Sequence, residues 1–366
     1  MNVCLIGNSL TSLILAKALV NNKIKVSLYY EYKKKISSSV RTIGISDNNL
    51  KFIINKIIKI KSNLVWSINQ IEIFDELINN NKILTFKKNS KKLFHIIKNE
   101  DLFIKLNNNL IKTNNFKKIK IKSKSFYTQI LSNKKYDLII NCNANNEISK
   151  KFFNKKIIKN YNNTAYASII NHKKNINNKA VQIFTKFGPI AFLPISKTQT
   201  SVVYSIDNEK MNNLKFNQES FKKIIHKYNK FYKINFIGNY EKFDLKLLLL
   251  KNYFYKNILN FGDGIHQIHP LAGQGFNMTI RDLIILRELI NNKLDLGLPL
   301  DCSIYEDFEK RTKHLNFLFA SSIDLILQFF SIDNSFFKNY SKKIFNFLNK
   351  NKSINDLIIK YADRGL

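Results

Sequence analysis

The sequence predicts a mixed α/β fold: a Rossmann-like, doubly wound unit interrupted by an antiparallel sheet and then resumed, with a helical C-terminus. Three observations predict it. The first thirty residues alternate strand, tight turn, helix and strand. The middle of the chain is a succession of strands with no helix between them. Beyond residue 257 a buried strand runs into a glycine-rich turn and a long amphipathic helix.

Val3 to Ile6 is a short apolar strand, and Gly7 opens the turn. Leu10, Leu13, Ile14, Ala18 and Leu19 share one helical face, and Lys25 to Tyr30 is the second strand. Tyr136 to Ile140 is another buried strand. Thr164–Asn171, Val181–Thr185, Pro189–Ile195 and Ser201–Ile206 follow as strands, with Lys197 to Thr200 as a polar turn before the last. Asn257 to Phe261 returns to a buried strand. Phe276 to Asn291 is a helix with Ile280, Leu283, Ile284 and Ile290 inward, and the pattern after Asp301 is helical. The expected division is a discontinuous nucleotide-binding domain (1–65, 95–155 and 252–300), a sheet domain (66–94 and 156–251) and a helical segment (301–366).

Composition narrows the function classes. With 366 residues and 45% hydrophobic content the chain can bury a large core, and four prolines and ten glycines leave little linker. No run approaches the ~20 apolar residues that span a bilayer. The start lacks a basic region or cleavage site, and the three cysteines are scattered, so a reducing, cytoplasmic setting is expected. Sixty basic against 26 acidic residues give +34, which raises the question of a polyanionic partner. The lysines are mixed with Asn and Ile throughout, as AT-rich coding produces at tolerant surface positions. Lys117, Lys118, Lys120, Lys122 and Lys124 alternate with Ile119 and Ile121, as on a strand with one solvated face. No nucleic-acid-binding pattern is present, so an anionic membrane surface is the expected polyanion, if there is one.

Two segments carry chemistry. The turn after the first strand reads Gly7-Asn8-Ser9-Leu10-Thr11-Ser12. A dinucleotide fingerprint places glycine where Gly7, Ser9 and Ser12 stand, for the turn, the pyrophosphate approach and helix packing. Serine is small enough for close approach, and a helix N-terminus receives phosphate. An acidic residue at the end of the second strand would hold the adenosine ribose. Tyr30 occupies that slot by count, and Glu31 follows it, so either the register shifts by one or the contact is missing.

The stretch Gly262 to Asp282, GDGIHQIHPLAGQGFNMTIRD, is far more specific. Asp263 at a strand end suits the hydroxyls of a ribityl chain, and Pro270 fixes the loop. Gly273, Gln274, Gly275, Phe276 and Asn277 open a helix whose N-terminal amides can face a planar ring. That end favours negative charge, such as the pyrimidine edge of a reduced flavin. Asp263, His266 and His269 are spaced by three, but Pro270 follows and no further ligands cluster, so no metal is expected.

This stretch resembles the second FAD motif of the aromatic-ring flavoprotein monooxygenases, and its HPLAGQGFN…RD form resembles the ubiquinone-biosynthesis hydroxylases. Arg41-Thr42-Ile43-Gly44-Ile45-Ser46 matches that branch's R-x-x-A-L-S element, and Phe187 to Pro194 resembles its substrate-domain strand. Trp66–Asp75, Ile97–Leu106, Tyr305–Arg311 and Ala362–Leu366 also sit where the branch has similar segments. The resemblance implies FAD as cofactor, NAD(P)H as reductant, O2 as co-substrate and a polyprenylphenol as substrate. It also implies possible contact with other ubiquinone-biosynthesis proteins and a peripheral place at the inner membrane surface. By position it puts Gly7, Ser9, Ser12 and Arg41 at the pyrophosphate and Asn99 on the phosphate side. Asp263 falls at the ribityl chain, and Gly273 to Asn277 along the isoalloxazine. No side chain stands out as an acid–base catalyst. One departure is clear: where the family has an Asp-Gly element after a strand, this chain has Asn143-Ala144. Asn carries no charge, and Ala does not take a positive φ cheaply. A non-catalytic homologue serving as a lipid-binding or scaffold subunit is the alternative that this departure motivates.

Overall fold

The computed structural model describes the chain except residues 32–39, 77–80, 88–91, 124, 133–134, 211–215, 271–272, 332–350, 352, 354–355, 357–359 and 362–366. Leu271, Ala272 and the Ala362–Leu366 segment therefore lie outside the described residues.

The first strand, Asn2–Ile6, is flanked in parallel by Lys25–Tyr30 and Leu138–Asn141. It is the centre of a six-stranded sheet whose order from one edge is Phe254–Tyr255, Ile258–Asn260, Leu138–Asn141, Asn2–Ile6, Lys25–Tyr30 and Phe116–Lys120. Strands buried on both faces read as unbroken apolar runs; Val3, Cys4, Leu5, Leu138, Ile139 and Ile140 duly lie in the main core. Helix Leu10–Asn21 covers one face and is almost wholly buried. Ile258–Asn260 enters beside Leu138–Asn141 in parallel, more than a hundred residues after it in the chain, so the doubly wound unit is interrupted and resumed as the sequence predicts.

The interruption is a nine-stranded sheet. In order it runs His266–Gln267, Glu241–Leu250, Lys156–His172, Gln199–Asp207, Gly188–Pro194, Lys179–Thr185, Gln70–Asp75 and Asn81–Lys87, with Ile234–Ile237 also on Lys156–His172. Its pairs are antiparallel except Lys179–Thr185 with Gln70–Asp75. Helix Gln218–Tyr228 buries Phe221, Ile225 and Tyr228 in that sheet's own core. The expected strands are present: Thr164–Asn171 is the C-terminal half of a 17-residue strand, Val181–Thr185 and Ser201–Ile206 lie within longer ones, and Pro189–Ile195 is shifted by one to Gly188–Pro194.

A three-stranded sheet joins the two units, with Phe94–Lys98 between Thr42–Ser46 and Trp66–Ile68. The expected Phe276–Asn291 helix runs from Gln274 to Asp295 and buries Ile280, Leu283 and Ile290 completely. The final long helix, Ser303–Ser331, is tied to the parallel sheet by Tyr305. Its buried phenol accepts from the Ile139 amide at 2.9 Å and donates to the Ile139 carbonyl at 3.1 Å.

Candidate functional site

The two chemistry-bearing segments meet at the C-terminal ends of the parallel strands, where open α/β sheets bind ligands. Gly7 has φ +131°, and a Cβ on it would lie 3.3 Å from the Cys142 carbonyl carbon, so the turn needs glycine both for its backbone and for its neighbour. Gly262 lies against Thr11, whose methyl would be 2.4 Å from a Cβ there. Asp263 is exposed beside the same strand ends, and its backbone carbonyl accepts from Gln267 Nε2 at 2.9 Å. Burial, and after it the nearby Asp263 carboxylate, push the Cys142 thiol up. Gly7 thus lies against Cys142, and Gly262 against Thr11, with Asp263 near Cys142 at the same strand ends.

Ser9 and Ser12 form a reciprocal capping box. Ser9 Oγ accepts from the Ser12 amide at 3.3 Å, and Ser12 Oγ accepts from the Ser9 amide at 2.9 Å. Ser12 is fully buried. The first helical bond runs from the Leu13 amide to the Ser9 carbonyl at 3.1 Å. Of the four amides the helix cannot satisfy itself, the box takes two; those of Leu10 and Thr11 are what this helix end offers an anion. The Asn8 side-chain oxygen is buried there with no protein partner among the described residues. Glu31 follows the last residue of the second strand, and Tyr127 donates to its carboxylate at 2.6 Å.

In the second segment, Gly273 takes φ +63° as the residue preceding the Gln274–Asp295 helix, and no side chain caps that helix. Its amide donates to the carbonyl of the exposed Pro270 at 3.0 Å. A Cβ at Gly273 would be 3.4 Å from the Gly44 amide, so the R-x-x element and the glycine motif pack backbone to backbone. At Gly275 an added Cβ would meet only Ile268 at 3.8 Å, which leaves the first turn of the helix open on that side. Gln274 is buried with its side-chain oxygen unpartnered, and Phe276 is half-buried against the main core. Asn277 has turned inward. Its oxygen accepts from the Ser46 amide and Asn49 Nδ2, both at 2.9 Å, and its nitrogen donates to the Gly44 carbonyl at 3.0 Å. It ties the strand carrying Gly44 to the motif helix. Arg41 is exposed, with its guanidinium 5.9 Å from the Phe243 ring centre, and its carbonyl accepts from the Asn99 amide at 3.0 Å.

The departure at Asn143-Ala144 is resolved by a network of asparagines. Asn141 Nδ2 donates to Asn260 at 2.7 Å and to Ser149 at 2.8 Å, and Ser149 donates to the Asn143 carbonyl at 2.7 Å. Asn143 Oδ1 accepts from the Asn145 amide at 3.0 Å. Among the described residues, the positive-φ non-glycine ones are Lys23, Asn162 and Lys256. Ala144 is not among them, so the loop is built without the strain its sequence suggests.

The three residues spaced by three diverge. His266 pairs with Asp282 at 2.8 Å, both buried, and Asn316 donates to the other Asp282 oxygen at 3.0 Å. His269 is buried beside Tyr161, with ring centres 5.6 Å apart. No group of three metal-ligating side chains is found among the described residues. Sequence reading missed the Asp282–His266–Asn316 lock and the partnership of Asn277 with Asn49, because their spacing carries no period; the terminal Asp of the motif was the one available signal.

An FAD fits these residues. The residues that suit it are an open helix N-terminus without a capping side chain, a second helix start with two unsatisfied amides, and orphaned buried oxygens on Asn8 and Gln274. Comparison with known proteins agrees. No family model matches. The chain is 26% identical over 177 residues to the ubiquinone hydroxylase UbiL of Rhodospirillum rubrum, covering 47% of this chain and 41% of that protein. It is 24% identical over 210 residues to the mitochondrial ubiquinone biosynthesis monooxygenase COQ6 of Danio rerio, covering 47% and 43%. The chain thus spans less than half the length of these relatives. Among solved structures, p-nitrophenol 4-monooxygenase PnpA of Pseudomonas putida superposes with a TM-score of 0.79 at 10% identity, over 99% of this chain and 98% of that one. HpxO of Klebsiella pneumoniae, solved with FAD and uric acid, gives 0.74 at 10% over 100% and 96%. The fold is that of the FAD-dependent monooxygenases, and the resemblance to the ubiquinone-biosynthesis hydroxylases holds in the sequences of these relatives.

Proposed function

We propose that this chain is an FAD-dependent monooxygenase that hydroxylates the aromatic ring of a polyprenylated phenol in ubiquinone biosynthesis, with NAD(P)H as reductant and O2 as co-substrate. The observation that carries the proposal is that both glycine-bearing segments are packed as a cofactor site needs: Gly7 against Cys142, Gly262 against Thr11 beside Asp263, and Gly273 against Gly44 ahead of the open helix start at Gly275. Bound there, FAD would supply the redox chemistry between NAD(P)H, O2 and the ring.

The chain's own residues bind, orient and exclude water. The Leu10 and Thr11 amides, with Arg41 and Asn99 nearby, hold the pyrophosphate; Ser9 and Ser12 act by fixing that helix start. Glu31, oriented by Tyr127, takes the ribose, and Asp263 takes the ribityl hydroxyls. The amides at Gly273 to Phe276 face the pyrimidine edge, where a helix N-terminus stabilises negative charge by about 0.3–1 kcal/mol at exposed sites and more when buried. Pro270 holds the Gly273 amide through its carbonyl, and Asn277 holds the Gly44 carbonyl beside the motif. A lipid-tailed substrate lies in a bilayer, so a protein of net charge +34 would meet it peripherally at an anionic inner-membrane surface, alone or with other proteins of the same route.

The test is direct. The purified protein should carry FAD or take it up on reconstitution. It should then oxidise NADPH in the presence of a short-chain polyprenylphenol and release a product heavier by one oxygen atom. Protein that stays colourless after reconstitution would overturn the reading, and flavin binding without an oxygenated product would leave only the cofactor site.

A further inference from the structure

We propose that one end of the nine-stranded sheet docks the protein on an anionic lipid bilayer. Ile176 and Phe236 enter the boundary of the acyl chains, and Lys173, Lys174, Lys197, Lys230 and Lys233 meet the lipid phosphates. The inference gives a surface to the peripheral membrane contact proposed above and rests on that part of it.

Three segments meet at this end of the sheet. The Lys173 amide donates to the Lys233 carbonyl and the Asn175 amide to the Lys197 carbonyl, both at 3.0 Å, and Asn171 stands opposite Phe236 in the strand pairing. The 173–178 loop is fixed from within. Asn177, 3% exposed, donates to the Ser196 carbonyl at 2.8 Å and to Thr200 Oγ1 at 3.0 Å, and its oxygen accepts from the Tyr232 hydroxyl at 2.9 Å. Trp66 Nε1 donates to the Asn177 carbonyl. Asn229 braces the third segment, accepting from the Tyr232 amide at 3.0 Å and donating to the Tyr232 carbonyl at 2.7 Å. A loop pinned in this way by Asn177 still leaves the preceding Ile176 84% exposed, and Phe236 is 60% exposed. A lone exposed apolar side chain is ordinary. Two on segments bonded to each other make an apolar point held out into solvent.

The charge around that point has one sign. The five lysines are exposed, and none of them takes part in an ion pair among the described residues. No Asp, Glu or Arg occurs in residues 171–178, 195–199 or 229–240. Glu72, on the strand paired with Lys179–Thr185, is already held between Lys82 at 3.5 Å and Lys179 at 3.9 Å. This combination selects the partner. A nucleic acid would satisfy the lysines and leave Ile176 and Phe236 in water, and the forked side chain that suits bidentate phosphate recognition, arginine, is missing here. An acidic protein would need a shaped pocket for each apolar side chain. A bilayer offers phosphates at its surface and uniform hydrocarbon beneath, so it takes apolar tips at any position while flexible lysine stems reach back to the headgroups. Each lysine near an anionic leaflet adds about fivefold in affinity.

The experiment is co-sedimentation of the full chain with vesicles of phosphatidylcholine, alone or mixed with phosphatidylglycerol. The wild type should bind the mixed vesicles and largely ignore the neutral ones. Lys173→Gln/Lys174→Gln/Lys233→Gln should weaken binding on the order of a hundredfold. Lys25→Gln/Lys112→Gln/Lys117→Gln, which removes the same charge from the six-stranded sheet, should cost no more than about threefold, because charges held away from the bilayer are screened. Ile176→Asn/Phe236→Asn should lose at least about tenfold of the binding that survives physiological salt, and a Phe236→Trp indole should be quenched by brominated lipid tails. Equal losses from the two lysine triples would overturn the inference, as would an asparagine pair and an indole that both ignore the lipid. Single-stranded RNA binding governed by the tip lysines, with vesicle binding untouched by them, would give the surface to another partner and overturn it too. If the asparagine pair does not fold, the lysine triples and the indole quenching decide. A protein that holds flavin and hydroxylates a detergent-dispersed polyprenylphenol, with tip variants that bind vesicles as the wild type does, loses only this inference. One that docks through the tip yet never takes up FAD keeps the surface and loses the functional reading.

Discussion

At the scale of the residue, the most consequential side chains are inward-facing polar ones. Asn277 holds Ser46, Asn49 and Gly44 at once. Asn277→Ala would leave several buried groups unpaired and should cost about 2–4 kcal/mol, read as a lower denaturant midpoint at unchanged slope. His269 gives a pH signature. Its folded pKa of about 4 lies below the 6.5 of an ordinary histidine, so the unfolded chain binds the extra proton first. The stability tied to its neutrality is complete above pH 6.5 and lost as the pH falls towards 4, on the order of 3 kcal/mol in all. His269→Gln should flatten the stability-versus-pH curve by about one proton in that window; an unchanged slope would show that another group titrates there. Neither role was legible in the sequence, since inward orientation of an Asn or His leaves no periodic trace. The placement of Asp263, exposed just after a buried strand, was by contrast legible from the apolar run that precedes it.

At the scale of the element, the two helix starts differ in what they leave open. The Leu10–Asn21 helix is capped by its own serines, and Ser12→Ala should cost about 1 kcal/mol of stability. The Gln274–Asp295 helix has no side-chain cap, and Gly275 has room for a methyl against protein, with Ile268 at 3.8 Å. Gly275→Ala should therefore leave the melting temperature level or raise it slightly, the usual gain being about 0.4–1 kcal/mol, while weakening FAD retention at least tenfold. A variant that keeps its flavin would show that the cofactor lies elsewhere. The strand–turn–helix elements themselves were readable from apolar runs and helical spacing. The three-stranded sheet was not, because Thr42–Ser46, Trp66–Ile68 and Phe94–Lys98 are short, and their pairing is decided by which units they bridge. Ala144 makes the same point in reverse: a residue type that looks wrong for a family turn is accommodated when asparagine side chains replace the backbone geometry.

At the scale of the whole molecule, charge and chain order dominate. A net +34 predicts binding to liposomes containing anionic lipid that weakens as salt is raised from low to physiological levels, each basic group near the surface adding about 1 kcal/mol; equal binding to neutral liposomes would refute an electrostatic origin. Chain order has a different outcome. Leu138–Asn141 finds its second parallel neighbour only when Ile258–Asn260 arrives, with the nine-stranded sheet's central strands made in between. During synthesis the first half must wait with one apolar strand edge bare, and non-local parallel pairing is slow to form. The nascent chain is thus exposed to misassembly for the time it takes a ribosome to make about a hundred residues, at roughly 5–20 per second. Folding yield, rather than catalytic power, is where a host's chaperones would be felt first.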